Sequence, residues 1–213
     1  LFGTIGAEGV VSNLTSAGEI SGGLGGPKGT TKLGHVGGFV GRLYGKLVNV
    51  TNTGKVKGIA TYNAGVAGFV QQGAVLDGVK NYGEITSSAA YVAGVAAYVY
   101  EDAEFNKCVN YGNISSPVAA GYAAGIAATA LPSKFVECVN EGQISSGSSA
   151  GIVANCSGKS GGLIYTFDRC QNNGEVTGNG ILGGITAVQG ATAGNNVCHY
   201  IQCVNNGDIT ATA

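Results

Sequence analysis

Apolar and polar residues alternate with period two in a seven-residue phrase that returns along the whole chain. The copies are LTSAGEI (Leu14 to Ile20), VTNTGKV (Val50 to Val56), VKNYGEI (Val79 to Ile85), CVNYGNI (Cys108 to Ile114), CVNEGQI (Cys138 to Ile144), CQNNGEV (Cys170 to Val176) and CVNNGDI (Cys203 to Ile209). Between their glycines (Gly18, Gly54, Gly83, Gly112, Gly142, Gly174, Gly207) the steps are 36, 29, 29, 30, 32 and 33 residues. A period in this range marks a stacked array, in which each unit buries its apolar face only against its neighbours. The first and last residues of each phrase are predicted to face a core, as a ladder of Val50, Val79, Cys108, Cys138, Cys170 and Cys203. The residues flanking the closing Ile or Val, such as Glu84 and Thr86, are polar in every copy and read as a solvated face.

A second landmark precedes each phrase from the second copy onward: GGFVG (Gly37 to Gly41), AGVAG (Ala64 to Gly68), AGVAA (Ala93 to Ala97), AGIAA (Ala124 to Ala128), AGIVA (Ala150 to Ala154) and GGITA (Gly183 to Ala187). Large then small at every other position is again strand spacing. No segment sustains a period of 3.6 with caps, so almost no helix is expected. The asparagine two before each glycine (Asn52, Asn81, Asn110, Asn140, Asn172, Asn205) suits a bend, because Asn tolerates left-handed backbone. Stacked one above another, such side chains can also bond in a ladder.

The expected fold is all-β: a right-handed parallel β-solenoid of about seven rungs of roughly 30 residues, each with two or three short strands. Rungs stacked about 4.8 Å apart would give a rod of roughly 30 Å. Residues 1–213 form one domain, with rungs at about 1–21, 35–57, 58–86, 87–115, 116–145, 146–177 and 178–210. The stretch 22–34, GGLGGPKGTTKLG, is a loop bulging from the rod. Propeller blades need about 40 residues, more than these units hold.

Composition narrows the function. Thirty-nine glycines among 213 residues would suggest disorder, but 44% of residues are hydrophobic and the glycines recur in register, so they read as turns and close approaches. With 11% charged residues and a net charge of −1 there is no electrostatic footprint for nucleic acid or an anionic membrane. No apolar run reaches the roughly 18 residues a membrane helix needs. Leu1 to Gly6 reads as the middle of a rung, without a charged-then-apolar leader.

GGFVG and its AGVAA-like variants, followed by C-x-N-x-G-x-I and a small polar pair, resemble the GLUG-type repeats of bacterial cell-surface proteins. A weaker resemblance is to the GG-apolar and F-x-x-N repeats of chlamydial-type polymorphic outer-membrane proteins, with Phe105 to Cys108 and Phe135 to Cys138 carrying Cys where that pattern has Asn. Both resemblances imply an extracellular β-solenoid, and neither carries catalytic residues onto this chain.

The candidate chemistry is sparse. Hydrophobes replace the ladder cysteines in earlier rungs, so these read as small core residues. Cys156 and Cys198 stand outside the ladder in consecutive rungs and are the candidates for a disulfide. Cys198, His199 and Cys203 lack a fourth ligand and the usual zinc spacing. His35 and His199, the only histidines, fall in the second and seventh rungs, too far apart for a shared nucleophile and base. Glu101, Asp102 and Glu104 cluster in a loop, where solvation is the default and Ca²⁺ the less favoured reading. Tyr82 with Tyr111, and Phe69 with Tyr98, are stacked aromatics that could hold a sugar ring or a partner; Tyr62, Tyr91 and Tyr122 form a third column, and stiffening the rod is the simpler role for all three. Phe69 and Tyr98 are expected on an outer face beside Ala67, Ala96 and Ala127. Sequons occur at Asn13, Asn49, Asn113 and Asn155.

No cofactor and no enzymatic activity are expected. The leading expectation is a non-catalytic structural or adhesive module of a surface or secreted protein, with other parts of that protein, copies of itself, or a host protein or glycan as partners. The alternatives are a self-stacking subunit of an extracellular filament and a glycan-binding or glycan-cleaving β-helix.

Overall fold

The structure, a computed structural model, describes residues 1–22, 34–58, 60–88, 90–118, 121–158, 164–189 and 197–213. It is an all-β parallel β-solenoid, with no helix among the described residues. Residues 23–33, the body of the expected loop insertion, lie outside the described residues.

Each full coil carries five short strands rather than two or three. In one central coil they are Tyr62–Ala64, Ala67–Val70, Val75–Asp77, Lys80–Asn81 and Ile85–Ser87. Equivalent strands pair in parallel into five sheets, named here E, A, B, C and D in that order; A to D hold seven strands each and E holds six. Strands of two or three residues are too brief to show a period of their own, so the sequence pattern merged several of them.

In-register pairing makes every inward position a column. Leu47, Leu76, Phe105, Phe135, Phe167 and Tyr200 are successive partners in sheet B. The aromatic members stack ring on ring at 4.9, 5.3 and 5.1 Å. Leu47, Leu76 and the three phenylalanines join Val50, Val79, Cys108, Cys138 and Cys170 in the main core, with Cys203 packed against it. A second apolar core lies between sheets D and E, where Val56, Ile85, Ile114, Ile144 and Val176 meet Val92 and Ala123. The interior thus holds two main apolar clusters, with a small alanine cluster of Ala124, Ala150 and Ala154 beside them. Ala67, Ala96 and Ala127 belong to the main core, so they are not outer-face neighbours of Phe69 and Tyr98.

What divides the two cores is polar. The glycine of each A-G landmark stands opposite the asparagine of the phrase that follows it. A Cβ on Gly94 would lie 2.2 Å from Asn110 Oδ1. The two repeating motifs are therefore one device: the glycine is absent bulk that lets a buried amide reach the middle of the coil.

Candidate functional site

The recurring asparagines form one continuous hydrogen-bonded file. Asn52, Asn81, Asn110, Asn140 and Asn172 are fully buried. Each Nδ2 donates to Oδ1 of the asparagine one coil on, at 2.9, 2.8, 2.8, 2.8 and 2.7 Å from Asn52 through to Asn205. Its other hydrogen goes to the carbonyl oxygen two residues ahead, as from Asn110 to Gly112 at 2.9 Å. Ser16 takes the position in the first coil and donates to Asn52 Oδ1 at 3.1 Å. Every link points the same way, so the file has a direction.

The chain does bend within each Asn-x-Gly, passing from sheet C to sheet D, but the asparagine backbone is not left-handed. None of the six has positive φ; the left-handed residues stand three positions earlier, at Asn49, Lys107, Glu137, Arg169 and Gln202, with Gly78 in the same column. Asparagine is required here for its amide, which donates and accepts at once, and not for its backbone tolerance.

The ladder cysteines are core residues whose thiols face carbonyl oxygens of the preceding coil: Cys108 to Leu76, Cys138 to Phe105 and Cys170 to Phe135, each at 3.4 Å. Burial pushes the Cys138 thiol well above its ordinary range, and the neighbouring Cys108 thiol adds to the effect. Cys138→Val restores the residue type of Val79 at the equivalent position. It is expected to change the unfolding free energy by less than about 1 kcal/mol in urea titration.

Outside the rod, the aromatic residues interlock with one another. Tyr62, Tyr91 and Tyr122 stack down sheet E at 5.0 and 5.9 Å. Phe69 and Tyr98 stack on sheet A at 5.1 Å and 10°. The columns meet edge to face, Tyr62 against Phe69 at 5.7 Å and against Tyr98 at 5.3 Å. His35 packs on Phe69 at 4.4 Å, and Arg42 lies over the same ring. Phe69 is in consequence only 8% exposed, so it is no open surface aromatic. What covers the apolar outer corner is the chain itself.

Burial holds the Tyr98 hydroxyl protonated, up to about 12, with the nearby tyrosines Tyr62, Tyr100 and Tyr91 adding to the shift. A folded value above the unfolded one of about 10 means the neutral ring supports the fold below pH 10. That support is expected to disappear as pH rises through about 12. Tyrosinate absorbance should show a late component in the native protein, to which Tyr200 also contributes, and Tyr98→Phe should shrink it and reduce the alkaline loss of stability.

Tyr82 and Tyr111 remain exposed, at 49% and 41%. They stack on each other at 4.5 Å and 8°, so each already covers one face of the other. Beside Tyr111 an open groove of about 670 Å³ is lined by Asn13, Asn49, Lys80 and Lys107 among others. The sequence did not reveal it, because its lining comes from the left-handed column and the position two residues on, which share no residue type.

The remaining candidates stay apart. Asp102 accepts a hydrogen bond from Gln72 at 3.0 Å, and no group of three acidic, His or Cys side chains converges among the described residues, either at Glu101, Asp102 and Glu104 or at Cys198, His199 and Cys203. Arg42 sits 3.4 Å from His35 Nδ1, and burial, helped by that charge, lowers the imidazole's pKa. Of the sequons, Asn13, Asn49 and Asn113 are exposed, while Asn155 is half-buried and reaches Thr129 at 3.5 Å.

Cys156 and Cys198 are brought together. Both are free thiols; Cys156 lies in the main core and Cys198 packs against it.

No protein-family model, no curated protein and no solved structure matches the chain.

Proposed function

We propose that this chain is a non-catalytic structural or adhesive repeat module of a bacterial surface or secreted protein of the GLUG-repeat type. It is a stiff, right-handed rod of about seven rungs, each of roughly 30 residues. The rod holds other parts of a larger protein apart or presents its outer face to a host protein or glycan. One observation carries the reading: the asparagines that recur along the repeat, and the aromatic residues that recur in its central coils, use their hydrogen bonds and ring faces on the neighbouring coil. The asparagine file runs coil to coil, and the aromatic columns lock onto each other. Such recurrence selects for stacking, and the outward positions between them vary freely.

The test is placement. An epitope inserted at the exposed turn around Gly73 should be reached by antibody on intact cells of the source organism. Labelling that appears only after permeabilisation overturns the reading.

A self-stacking filament subunit is the second reading. It is favoured by the regular parallel stacking of every coil, whose asparagine bonds a second copy could continue with the same geometry. Ser16 of a further copy presents a hydroxyl at the equivalent position. Negative-stain images across a range of concentrations should then show end-to-end growth; only separate short rods throughout removes this reading.

A further inference from the structure

The geometry points to a disulfide between Cys156 and Cys198 that staples the last coil to the one before it. This inference does not depend on where the protein works.

Register and direction argue for this pair. Cys156 ends the strand Val153–Cys156 of sheet A, directly above Ala130. Cys198 lies in the strand Val197–Ile201 of sheet B, one coil on and in register with Tyr165. The Tyr165 side chain shows which way that position points, since its hydroxyl donates to Ser157 O at 2.7 Å and to Ala130 O at 3.0 Å, beside Cys156. Cys198, in register with Tyr165, therefore approaches Cys156 from a different sheet. Cys156 belongs to the main core and Cys198 packs against it.

The column Cys108, Cys138, Cys170 and Cys203 differs in geometry. Its members are in-register neighbours whose side chains run parallel, and each thiol is directed at a carbonyl oxygen of the preceding coil. A disulfide needs side chains that converge with a dihedral near 90°. Side chains from two sheets can meet that need; parallel ones in one column do not.

The chemistry balances with a small-molecule disulfide as oxidant. Cys198, the more exposed of the two, attacks one sulfur of that disulfide and releases a thiol. Cys156 then loses its proton, attacks the Cys198 sulfur and expels the second thiol. Two protein thiols and one disulfide become one protein disulfide and two small thiols. The order of attack suits the pair. The neighbouring Cys156 thiol brings Cys198 down to about 7 against an opposing push from burial, while Cys198 and burial raise Cys156.

The consequence is local. In the coil that carries Cys198 the core-column positions Tyr200 and Ile209 are exposed, at 40% and 45%. A crosslink between Cys156 and Cys198 ties this coil to the one before it and opposes its local opening.

The full-length reduced chain would be incubated with oxidised glutathione, alkylated and digested with trypsin and a glutamate-specific protease. Fragment 142–159 then contains Cys156 as its only cysteine, and 176–213 contains Cys198 and Cys203. The expected result is a linked pair of these fragments that persists in Cys203→Ser and is lost in Cys198→Ser. Proteolysis of residues 197–213 in the undenatured protein should slow at least tenfold on oxidation and recover on reduction. Fragment 142–159 recovered unlinked in the wild type, or linked only when Cys203 is present, overturns the inference.

Discussion

Asn110→Ala is expected to destabilise the rod by roughly 3 to 5 kcal/mol, measured as a lower urea midpoint with an unchanged slope. The size follows from what the amide leaves behind. Gly112 O loses its donor at 2.9 Å, Asn140 Oδ1 loses its donor at 2.8 Å, and Asn81 Nδ2 loses its acceptor at 2.8 Å. All three side chains of this run are fully buried, so water does not replace the partners. Asn206→Ala is the matched control, because Asn206 makes its one side-chain bond, to Asn173 at 2.8 Å, at the surface. That change should stay within about 0.5 kcal/mol.

Asn110→Asp separates shape from hydrogen bonding. A carboxylate keeps the volume and can accept from Asn81, but it cannot donate to Gly112 O or Asn140 Oδ1. Burial would raise its folded pKa above the unfolded value, so the variant should regain stability relative to wild type on moving from pH 7 towards pH 4. A cost for Asn110→Ala below about 1 kcal/mol would mean that the file contributes little and that the apolar columns alone hold the coils together.

The sequence revealed whatever in-register stacking makes identical from coil to coil. Val79, Cys108 and Cys138 share a column because parallel coils place equivalent residues at equivalent depth, and a repeating period is the direct trace of that constraint. The alternation Asn-x-Gly-x-Ile reads inward, outward, inward in the structure as it does in the chain: Asn81, Gly83 and Ile85 are buried, and Tyr82, Glu84 and Thr86 are exposed. Features set by different residues in each coil were hidden. Lys107, Glu137 and Arg169 share a left-handed position, although nothing in their side chains favours it; stacking against the coils on either side imposes it. The sequence reading assigned that role to the ladder asparagines, since Asn is the residue most often found there. The candidate aromatic surface was misread in part for a related reason. Phe69 and Tyr98 do point outward, but the strands of sheet E turn Tyr62 and Tyr91 onto them, and a one-dimensional pattern does not show which two outer columns meet at a corner. The pairing of Cys156 with Cys198 was legible as two cysteines outside a ladder; the convergence from two sheets was not.

Gly112→Ala should be about as damaging as any single methyl addition in the chain, for a reason unrelated to backbone conformation. Gly112 has no positive φ. A Cβ there would lie 2.0 Å from the carbonyl oxygen of Gly83 and 2.9 Å from Asn81 Nδ2. The spacing that brings Gly83 so near is set on both sides, by Lys80 paired with Val109 in sheet C and by Ile85 paired with Ile114 in sheet D. The turn therefore cannot back away without opening the ladder, and a cost of about 3 kcal/mol or more is expected, at the upper end for overpacking. Two other glycines divide the possible causes. Gly73 has φ of 72° and nothing within 4 Å of an added Cβ, so Gly73→Ala tests conformation alone and should cost about 1 kcal/mol. Gly6 has open space and no positive φ, so Gly6→Ala should be neutral or slightly stabilising. If Gly112→Ala cost no more than Gly73→Ala in urea titration, the closeness of neighbouring coils would not be what requires glycine in the repeating phrase. The link between the A-G landmark, the asparagine file and the stacked turns would then have to be abandoned together.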